Sequence, residues 1–341
     1  MIYRSKAPLR IGLAGGGTDV SPYSDLYGGA VLNATVSLYA HATIELLEEN
    51  KVIVQAIDRN EEEVFENTNE LPLNGKLDLL KGVYNCIQRD HGLKEFKGMR
   101  LSTYVDAPAG SGLGTSSTLV VAILGAFAEM LRLPLGEYDM AHYAYEIERN
   151  YLKLSGGKQD QYAATFGGVN FMEFYEGDKV IVNPLRVKQE YLFELENNLV
   201  LYYTDTSRES AEIIKKQSKN VTDKKEDSIG AMHLLKQQAQ RMKEALLKGK
   251  LHEIGEILDF GFEQKKQMAE GISNPLMEEI YQAAKSAGAT GGKISGAGGG
   301  GFMIFYCPGN TKFNVIKSLA SFGGRHRNYQ FVEHGLKTWT I

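Results

Sequence analysis

The chain has 341 residues, of which 43% are apolar and 23% charged, and its formal net charge is −4 at pH 7. This length allows two domains, and the slight acidity argues against nucleic acid or an anionic membrane as a partner. No apolar run approaches the ~20 residues of a membrane span, so we expect a cytoplasmic protein. Its two cysteines, Cys86 and Cys307, suit a reducing compartment and argue against disulfides or a cysteine-based zinc site.

The first half of the chain mixes strand and helix patterns, which predicts an α+β domain. The predicted strands are residues 9–14, 30–47, 52–57 and 99–105. The predicted helices are residues 77–91, 115–131 and 138–152, with Pro134 as a break, and a hairpin follows at residues 168–183.

A polar stretch at residues 187–198 predicts a domain boundary. We therefore expect one domain over residues 1–190 and a second over residues 191–341. The second half predicts strands at residues 199–203 and 302–306, and helices at 226–247, about 250–270, 274–287 and 311–322. A capping-box pattern at residues 206–209 predicts a further helix start.

The most informative segment is the glycine-rich loop of residues 108–117, Pro-Ala-Gly-Ser-Gly-Leu-Gly-Thr-Ser-Ser. Glycines let backbone N–H groups converge on an anion, and the predicted helix directly after them adds its positive N-terminal end. Hydroxyl groups can bind a phosphate oxygen or Mg²⁺. The loop therefore predicts a phosphate cradle, although it lacks the lysine of a Walker motif.

Two further segments accompany the cradle. Residues 6–19 end in Gly-Gly-Gly-Thr-Asp, and residues 293–302 read Lys-Ile-Ser-Gly-Ala-Gly-Gly-Gly-Gly-Phe. The third segment satisfies Gly-x-Gly-x-x-Gly, but a strand follows it rather than a helix, which argues against a dinucleotide-binding domain.

The three segments, in this order, resemble the signature motifs of the GHMP kinases, a superfamily that includes galactokinase, homoserine kinase, mevalonate kinase and phosphomevalonate kinase. The resemblance implies an α+β fold in two domains. The N-terminal one is like domain 2 of ribosomal protein S5, and the C-terminal one is ferredoxin-like. It implies ATP and Mg²⁺ as cofactors and a small-molecule substrate, and it leaves a homodimer open.

The resemblance also implies roles for individual residues. The ATP-binding residues would be Pro108, Gly110, Ser111, Gly112, Leu113, Gly114, Thr115 and Ser116. Ser116 and Glu148 would hold Mg²⁺, with Glu146 as the reserve carboxylate. Because Glu146 and Glu148 would point about 200° apart on a helix, both cannot face the metal.

The reaction centre implied by the resemblance is Asp160 with Arg10. Asp160 lies in a Gly-Gly-Lys-Gln-Asp-Gln element, and Arg10 is placed beside it by the first motif. The cation could stabilise charge that develops on the transferred group. The sequence leaves open whether Asp160 removes the proton or only orients the acceptor hydroxyl.

The first motif also implies the substrate. Galactokinase has Gly-Glu-His-Thr-Asp where this chain has three glycines before Thr18 and Asp19, which removes polar sugar contacts and opens space. The first motif with Gly16-Gly17-Thr18-Asp19, together with the Gly-Gly-Lys-Gln-Asp-Gln element that contains Asp160, most resembles D-glycero-α-D-manno-heptose 7-phosphate kinases. The resemblance then implies a sugar phosphate as substrate. Its binding residues would be Gly16, Gly17, Thr18 and Asp19, with Lys158 and Arg208 as candidate phosphate contacts.

Two alternatives remain at this point. One is L-fucokinase or another sugar-1-kinase, because fucokinases share the triple-glycine start. The other is a catalytically inactive sugar or nucleotide sensor.

Overall fold

The computed structural model describes residues 1–66, 68–93, 96–206 and 210–341, without the side chain of Ser210. The strands are β1 (Ile2–Ala14), β2 (Gly29–Leu47), β3 (Lys51–Ala56), β4 (Glu61–Glu66), β5 (Gly98–Val105), β6 (Val169–Phe174), β7 (Val180–Pro184), β8 (Leu199–Tyr203), β9 (Gly291–Ile294), β10 (Phe302–Tyr306), β11 (Arg325–Arg327) and β12 (Lys337–Thr340). The helices are α1 (Tyr23–Tyr27), α2 (Asp78–Asp90), α3 (Thr115–Leu131), α4 (Glu137–Glu146), α5 (Gln159–Phe166), α6 (Gln189–Asn198), α7 (Ser210–Thr222), α8 (Glu226–Leu247), α9 (Ile254–Met268), α10 (Pro275–Ser286) and α11 (Thr311–Leu319). This mixture of sheets and helices confirms the predicted α+β class.

The larger sheet runs in the order β12-β1-β2-β5-β3-β4, with β6 and β7 joined to β2. Strands β3 and β5 pair in parallel, and the other neighbours pair antiparallel. Strands β6 and β7 form the predicted hairpin. The sheet brings the carboxyl end of β1, which leads into the first glycine-rich segment, next to the start of β2.

The smaller sheet has the order β11-β8-β10-β9, and all of its pairings are antiparallel. Along the chain, β8 is followed by four helices, then β9 and β10, then α11 and β11. Numbered from one to four, its strands lie in the order 4-1-3-2, which is the ferredoxin-like arrangement that the resemblance implies. The third glycine-rich segment is the turn between β9 and β10.

Helix α3 lies in the core, where it packs against β1 and β2. Thirteen of its 17 residues are buried, because Val, Ile, Leu, Ala and Phe occur on all of its faces. Burial on every side fixes the axis of α3, and its N-terminus directly follows the cradle loop.

The predicted domain division differs from the structure in two respects. Residue 190 lies inside α6, whose buried residues are Leu195 and Asn198, so the polar stretch is an amphipathic surface helix rather than a linker. The chain also does not remain in the second half to its end, because β12 pairs with β1 in the first sheet. A purely sequential boundary could not describe this return.

No helix in the described ranges is long and apolar enough to span a membrane.

Candidate active site

The three glycine-rich segments meet in one cleft between the two halves of the molecule. Its lining includes Arg10, Gly17 and Asp19 of the first segment, the cradle loop, Gly296 and Ala297 of the third segment, and Asp160. Lys265 of α9 and Gln217 of α7 complete the side formed by the second half. Residues from six separate parts of the chain thus surround one space, which is where phosphate, metal and acceptor would have to meet.

Arg10 and Asp160 form an ion pair in this cleft. The Nε atom of Arg10 donates to Oδ1 of Asp160 at 2.7 Å, and one terminal nitrogen donates to the carbonyl of Gly112 at 2.7 Å. The Arg10 side chain is 4% exposed and that of Asp160 is 22% exposed. A buried guanidinium with two acceptors has little freedom, so it fixes the carboxylate relative to the cradle.

The cradle loop is shaped by glycines in left-handed conformations. Gly110, Gly112 and Gly114 have φ values of +71°, +82° and +79°, which side chains with a Cβ rarely adopt. Helix α3 starts directly after Gly114 and, among the described residues, no side chain caps it. Its first N–H groups therefore point into the cleft as an anion site.

Five of the eight predicted ATP-binding residues line the cleft, namely Gly110, Gly112, Gly114, Thr115 and Ser116. The other three shape the loop from behind. Leu113 is fully buried in the core, the hydroxyl of Ser111 is hydrogen-bonded to that of Thr115 at 2.8 Å, and the Pro108 carbonyl accepts from Ser111 N. Ser117, to which the family resemblance gave no role, also lines the cleft.

The cradle loop and the third segment pack directly against each other. A Cβ built on Gly112 would lie 2.5 Å from the Ser295 carbonyl oxygen, and one built on Gly296 would lie 2.6 Å from the Cα of Gly112. The hydroxyl of Ser295 donates to the carbonyl of Gly112 at 2.8 Å. The third segment therefore supports the cradle from the second half of the molecule.

The predicted metal carboxylate, Glu148, lies in the cleft and is 2% exposed. It belongs to a π-helical turn, Ile147–Tyr151, that extends α4, and such turns often occur at functional sites. Its oxygens are held by Arg149 at 3.2 Å and by Nε2 of Gln161 at 2.7 Å. Glu146, the reserve carboxylate, instead accepts from Asn150 outside the cleft, so the geometry favours Glu148.

The donor set fits Mg²⁺. Ser116 and Glu148 both line the cleft, and Mg²⁺ commonly uses one or two protein oxygens together with phosphate oxygens and waters. No group of three or more His, Cys, Asp or Glu side chains in the described residues could hold a metal ion alone. The site therefore suits a metal that arrives with the nucleotide rather than one in a protein cage.

Asp19 lines the cleft and is held by Gln159, the first residue of α5. Its Oδ2 accepts from the backbone N–H of Gln159 at 3.1 Å, and its Oδ1 accepts from Nε2 of Gln159 and from Gly17 N at 3.2 Å each. Thr18, by contrast, is fully buried and donates to the carbonyls of Gly15 and Ala30. Substrate binding by Thr18 stays a prediction, and the structure assigns its hydroxyl to closing the turn.

Lys158, also predicted to contact substrate, is ion-paired with two aspartates and is not among the residues that line the cleft. Its ammonium lies 2.8 Å from Asp178 and 3.3 Å from Asp25, 5.8 Å from the ring centre of Tyr145. Burial opposes its charge, but Asp178, Tyr145 and Asp25 outweigh burial and raise the pKa of Lys158. Its side chain leaves the helix start away from the cleft. Arg208, the other predicted phosphate contact, lies outside the described residues.

Two buried lysines near the cleft were missed by the sequence reasoning. Lys265 of α9 is 4% exposed and Lys293 of β9 is 5% exposed. Lys265 follows Ile257, Leu258 and Phe262 at helical spacing on the buried face of α9. A lysine in the apolar stripe of a helix was the signal that could have revealed it.

Known proteins resemble this chain along almost its whole length. Family models for the GHMP kinases N terminal domain and the GHMP kinases C terminal match residues 78–168 and 242–324. D-glycero-alpha-D-manno-heptose 7-phosphate kinase of Campylobacter jejuni is 48% identical over 338 residues, covering 99% of both chains. L-fucokinase/L-fucose-1-P guanylyltransferase of Bacteroides fragilis is 27% identical over 96% of this chain and 37% of that protein.

Solved structures of heptose and galactose kinases are also similar to this chain. The structure of a D-glycero-D-manno-heptose 1-phosphate kinase from Bacteroides thetaiotaomicron superposes with a TM-score of 0.84, at 47% identity and 99% coverage of both chains. Lactococcus lactis galactokinase with galactose has a TM-score of 0.78, covering 98% of this chain and 95% of that one. At 19% identity it shows the fold alone. By its motifs, its fold and a near-complete match to a 48% identical relative, the chain belongs to the GHMP kinases, a family of ATP-dependent kinases.

Proposed function

We propose that the chain transfers the terminal phosphate of ATP to the anomeric hydroxyl of D-glycero-D-manno-heptose 7-phosphate and so forms the 1,7-bisphosphate. The observation that carries this proposal is the Arg10–Asp160 pair, which is bonded to Gly112 of the cradle loop and shares one cleft with Asp19. That arrangement supports a phosphate donor on one side of Asp160 and a hydroxyl-rich acceptor on the other.

Each part of the cleft has a task in this reaction. The cradle N–H groups and the start of α3 bind the nucleotide phosphates, and Asp19 accepts hydrogen bonds from sugar hydroxyls. Asp160 orients the acceptor hydroxyl and can take its proton as the new oxygen–phosphorus bond forms. The bond to the bridging oxygen of ATP breaks at the same time and ADP leaves, while Arg10 stabilises the charge on the transferred group.

Magnesium, when bound through Ser116 and Glu148, would neutralise charge on the nucleotide phosphates. Arg149 and Gln161 hold Glu148 in the orientation that this role requires. Because each oxygen of the carboxylate has its own partner, the two side chains restrict the rotation of Glu148.

The chain's own first motif and the names of its relatives support heptose 7-phosphate as the substrate. At position 16 a Cβ would lie 3.7 Å from the ammoniums of Lys265 and Lys293, so the glycine there leaves space for a larger or phosphorylated sugar. One similar protein is named a heptose 7-phosphate kinase and another a heptose 1-phosphate kinase. A 1-phosphate as acceptor would block the anomeric oxygen, so these names imply different products.

The test is a coupled assay of ADP release with heptose 7-phosphate, unphosphorylated heptose, heptose 1-phosphate, L-fucose and D-galactose. We expect the highest kcat/KM with heptose 7-phosphate. A higher kcat/KM with L-fucose would favour the fucokinase alternative. Absence of turnover with every sugar, alongside measurable ATP binding, would favour a sensor.

A further inference from the structure

Lys265 and Lys293 are buried lysines that have no role in the reaction as proposed above. In the described part of the chain, neither ammonium forms an ion pair with a carboxylate. Lys265 donates to the carbonyl of Gly296 at 2.6 Å, and Lys293 donates to the carbonyl of Gly12 at 2.9 Å. An ammonium group has three N–H donors, so these bonds leave donors on each lysine for a ligand.

The two ammoniums converge on one small space. A Cβ built on Gly16 would lie 3.7 Å from the Nζ of Lys265 and 3.7 Å from that of Lys293. Gly16 is half-buried and precedes Gly17 and Asp19, both of which line the cleft. The missing side chain at position 16 is therefore what leaves room between the two lysines.

Burial disfavours the charged form of both lysines in this space. Burial, and for Lys293 also the neighbouring Lys265, lowers the pKa of both lysines, while Asp19 acts in the opposite direction on each. Arg10 adds a third cation, but it is paired with Asp160. Keeping both lysines protonated therefore costs free energy in the unliganded site, and an anion with several acceptor oxygens would stabilise their charged form.

We propose that Lys265 and Lys293 bind the phosphate group that the sugar substrate already carries, an inference that rests on the proposed function. A phosphate monoester is a compact dianion whose oxygens can accept from two ammoniums at once. Their position beside Gly16 and Asp19, the sugar side of the cleft, favours the phosphate of the sugar over the terminal phosphate of ATP. The lysines then determine selectivity for a phosphorylated acceptor.

The experiment compares Lys265→Met and Lys293→Met with the wild type. Methionine keeps the length and removes the charge. The matched control is Lys266→Met, one residue further along α9, where the ammonium pairs with Glu263 at 2.8 Å rather than entering the site. KM and kcat are measured for heptose 7-phosphate, for the heptose without its phosphate, and for ATP, and thermal unfolding checks that each variant is folded.

For Lys265→Met and Lys293→Met we expect KM for heptose 7-phosphate to rise by at least about 10-fold. The kcat/KM for unphosphorylated heptose and the KM for ATP should stay within about twofold of the wild type, and Lys266→Met should change none of them. The variants would thus lose the preference for the phosphorylated sugar while keeping the reaction.

Three results would overturn the inference. A rise in KM for ATP alone would assign the lysines to the nucleotide phosphates. An equal loss with both sugars would mean that the lysines only tie Gly12 and Gly296 in place, and an unchanged preference would remove them from recognition altogether. If the wild type itself does not prefer heptose 7-phosphate, the result contradicts the proposed function rather than the role of the two lysines.

Discussion

Arg10 makes two hydrogen bonds that connect different parts of the site. One holds Asp160 and the other holds the carbonyl of Gly112, so β1 sets the distance between the reacting carboxylate and the phosphate cradle. The sequence predicted this pair through the family motif. It could not predict the second bond, because nothing in the order of residues places residue 10 beside residue 112.

The first prediction concerns Asp160. The Asp160→Asn variant keeps an acceptor for Arg10 but loses the ability to take a proton, so we expect kcat to fall by about 10²- to 10⁴-fold. KM for ATP should change little, because the cradle remains. Steady-state ADP release measures both, with Asp58→Asn, an exposed position, as the control. Turnover within about threefold of the wild type would remove Asp160 from the mechanism.

The second prediction separates the two candidate metal carboxylates. Glu148→Gln removes a charge from the cleft, whereas Glu146→Gln removes one from a side chain bonded to Asn150 outside it. We expect the Mg²⁺ concentration for half-maximal rate to rise at least about 10-fold in the first variant and to stay near the wild-type value in the second. Magnesium titrations of kcat measure this, and the opposite ranking would contradict the assignment.

The third prediction follows from the pKa of Lys265, which burial lowers from its ordinary value of 10.5 to about 8. Below pH 8 the folded and unfolded states both carry the charge, so the folded state bears the full cost of burying it. Between about pH 8 and 10.5 the folded state releases the proton first, and the cost diminishes as pH rises. That cost is on the order of 3 kcal/mol at pH 7.

Removing the charge should therefore stabilise the unliganded protein. We expect Lys265→Met to increase the free energy of unfolding at pH 7 by about 2 kcal/mol, after the loss of about 1 kcal/mol from the hydrogen bond to Gly296. The gain should shrink toward pH 10. Denaturant unfolding of both proteins at several pH values measures it, and a gain that does not vary with pH would contradict the burial argument.

The elements that form the site are mostly short turns with unusual backbone conformations. Sequence patterns located α3 and β10 because both are continuous apolar runs, and they located the hairpin because a polar turn separates two strand-like runs. They did not locate the π-helical turn at Ile147–Tyr151, since its five residues give no periodic signal of their own. The family resemblance also could not reveal the partners of Thr18 and Lys158, which are the carbonyls of the first turn and the carboxylates of Asp25 and Asp178.

The fourth prediction tests the contact between two glycine-rich loops. In Gly112→Ala the new Cβ would meet the Ser295 carbonyl oxygen at 2.5 Å, in a residue with φ of +82°. We expect the loops to separate and KM for ATP to rise at least about 10-fold. Gly75→Ala is the matched control, because Gly75 has φ of +92° but no atom of the described residues lies within 4 Å of where a Cβ would be added.

This control separates the two effects of an added Cβ. Both variants incur the backbone strain of a left-handed residue, which reduces stability, but only Gly112→Ala disturbs the cradle. An unchanged KM for ATP in Gly112→Ala would mean that the third segment does not support the nucleotide site. A similar rise in both variants would point to general destabilisation.

At the scale of the whole molecule, the two halves depend on each other. The chain ends by returning β12 to the first sheet, and Leu336, just before it, packs against Gly125 of α3. The cleft likewise combines Arg10 and Asp160 from the first half with Lys265 and Gly296 from the second. Sequence alone predicted both folds but not this interdependence, because contacts between distant segments leave no local pattern.

The measurement that tests the central claim most directly is phosphorus NMR of the product formed from heptose 7-phosphate and ATP. We predict a second phosphate resonance coupled to the anomeric proton, beside the retained resonance of the 7-phosphate, and its loss in Asp160→Asn. A new phosphate coupled to any other carbon-bound proton would contradict transfer to the anomeric hydroxyl. Undiminished product formation by Asp160→Asn would contradict the placement of Asp160 at the reaction centre.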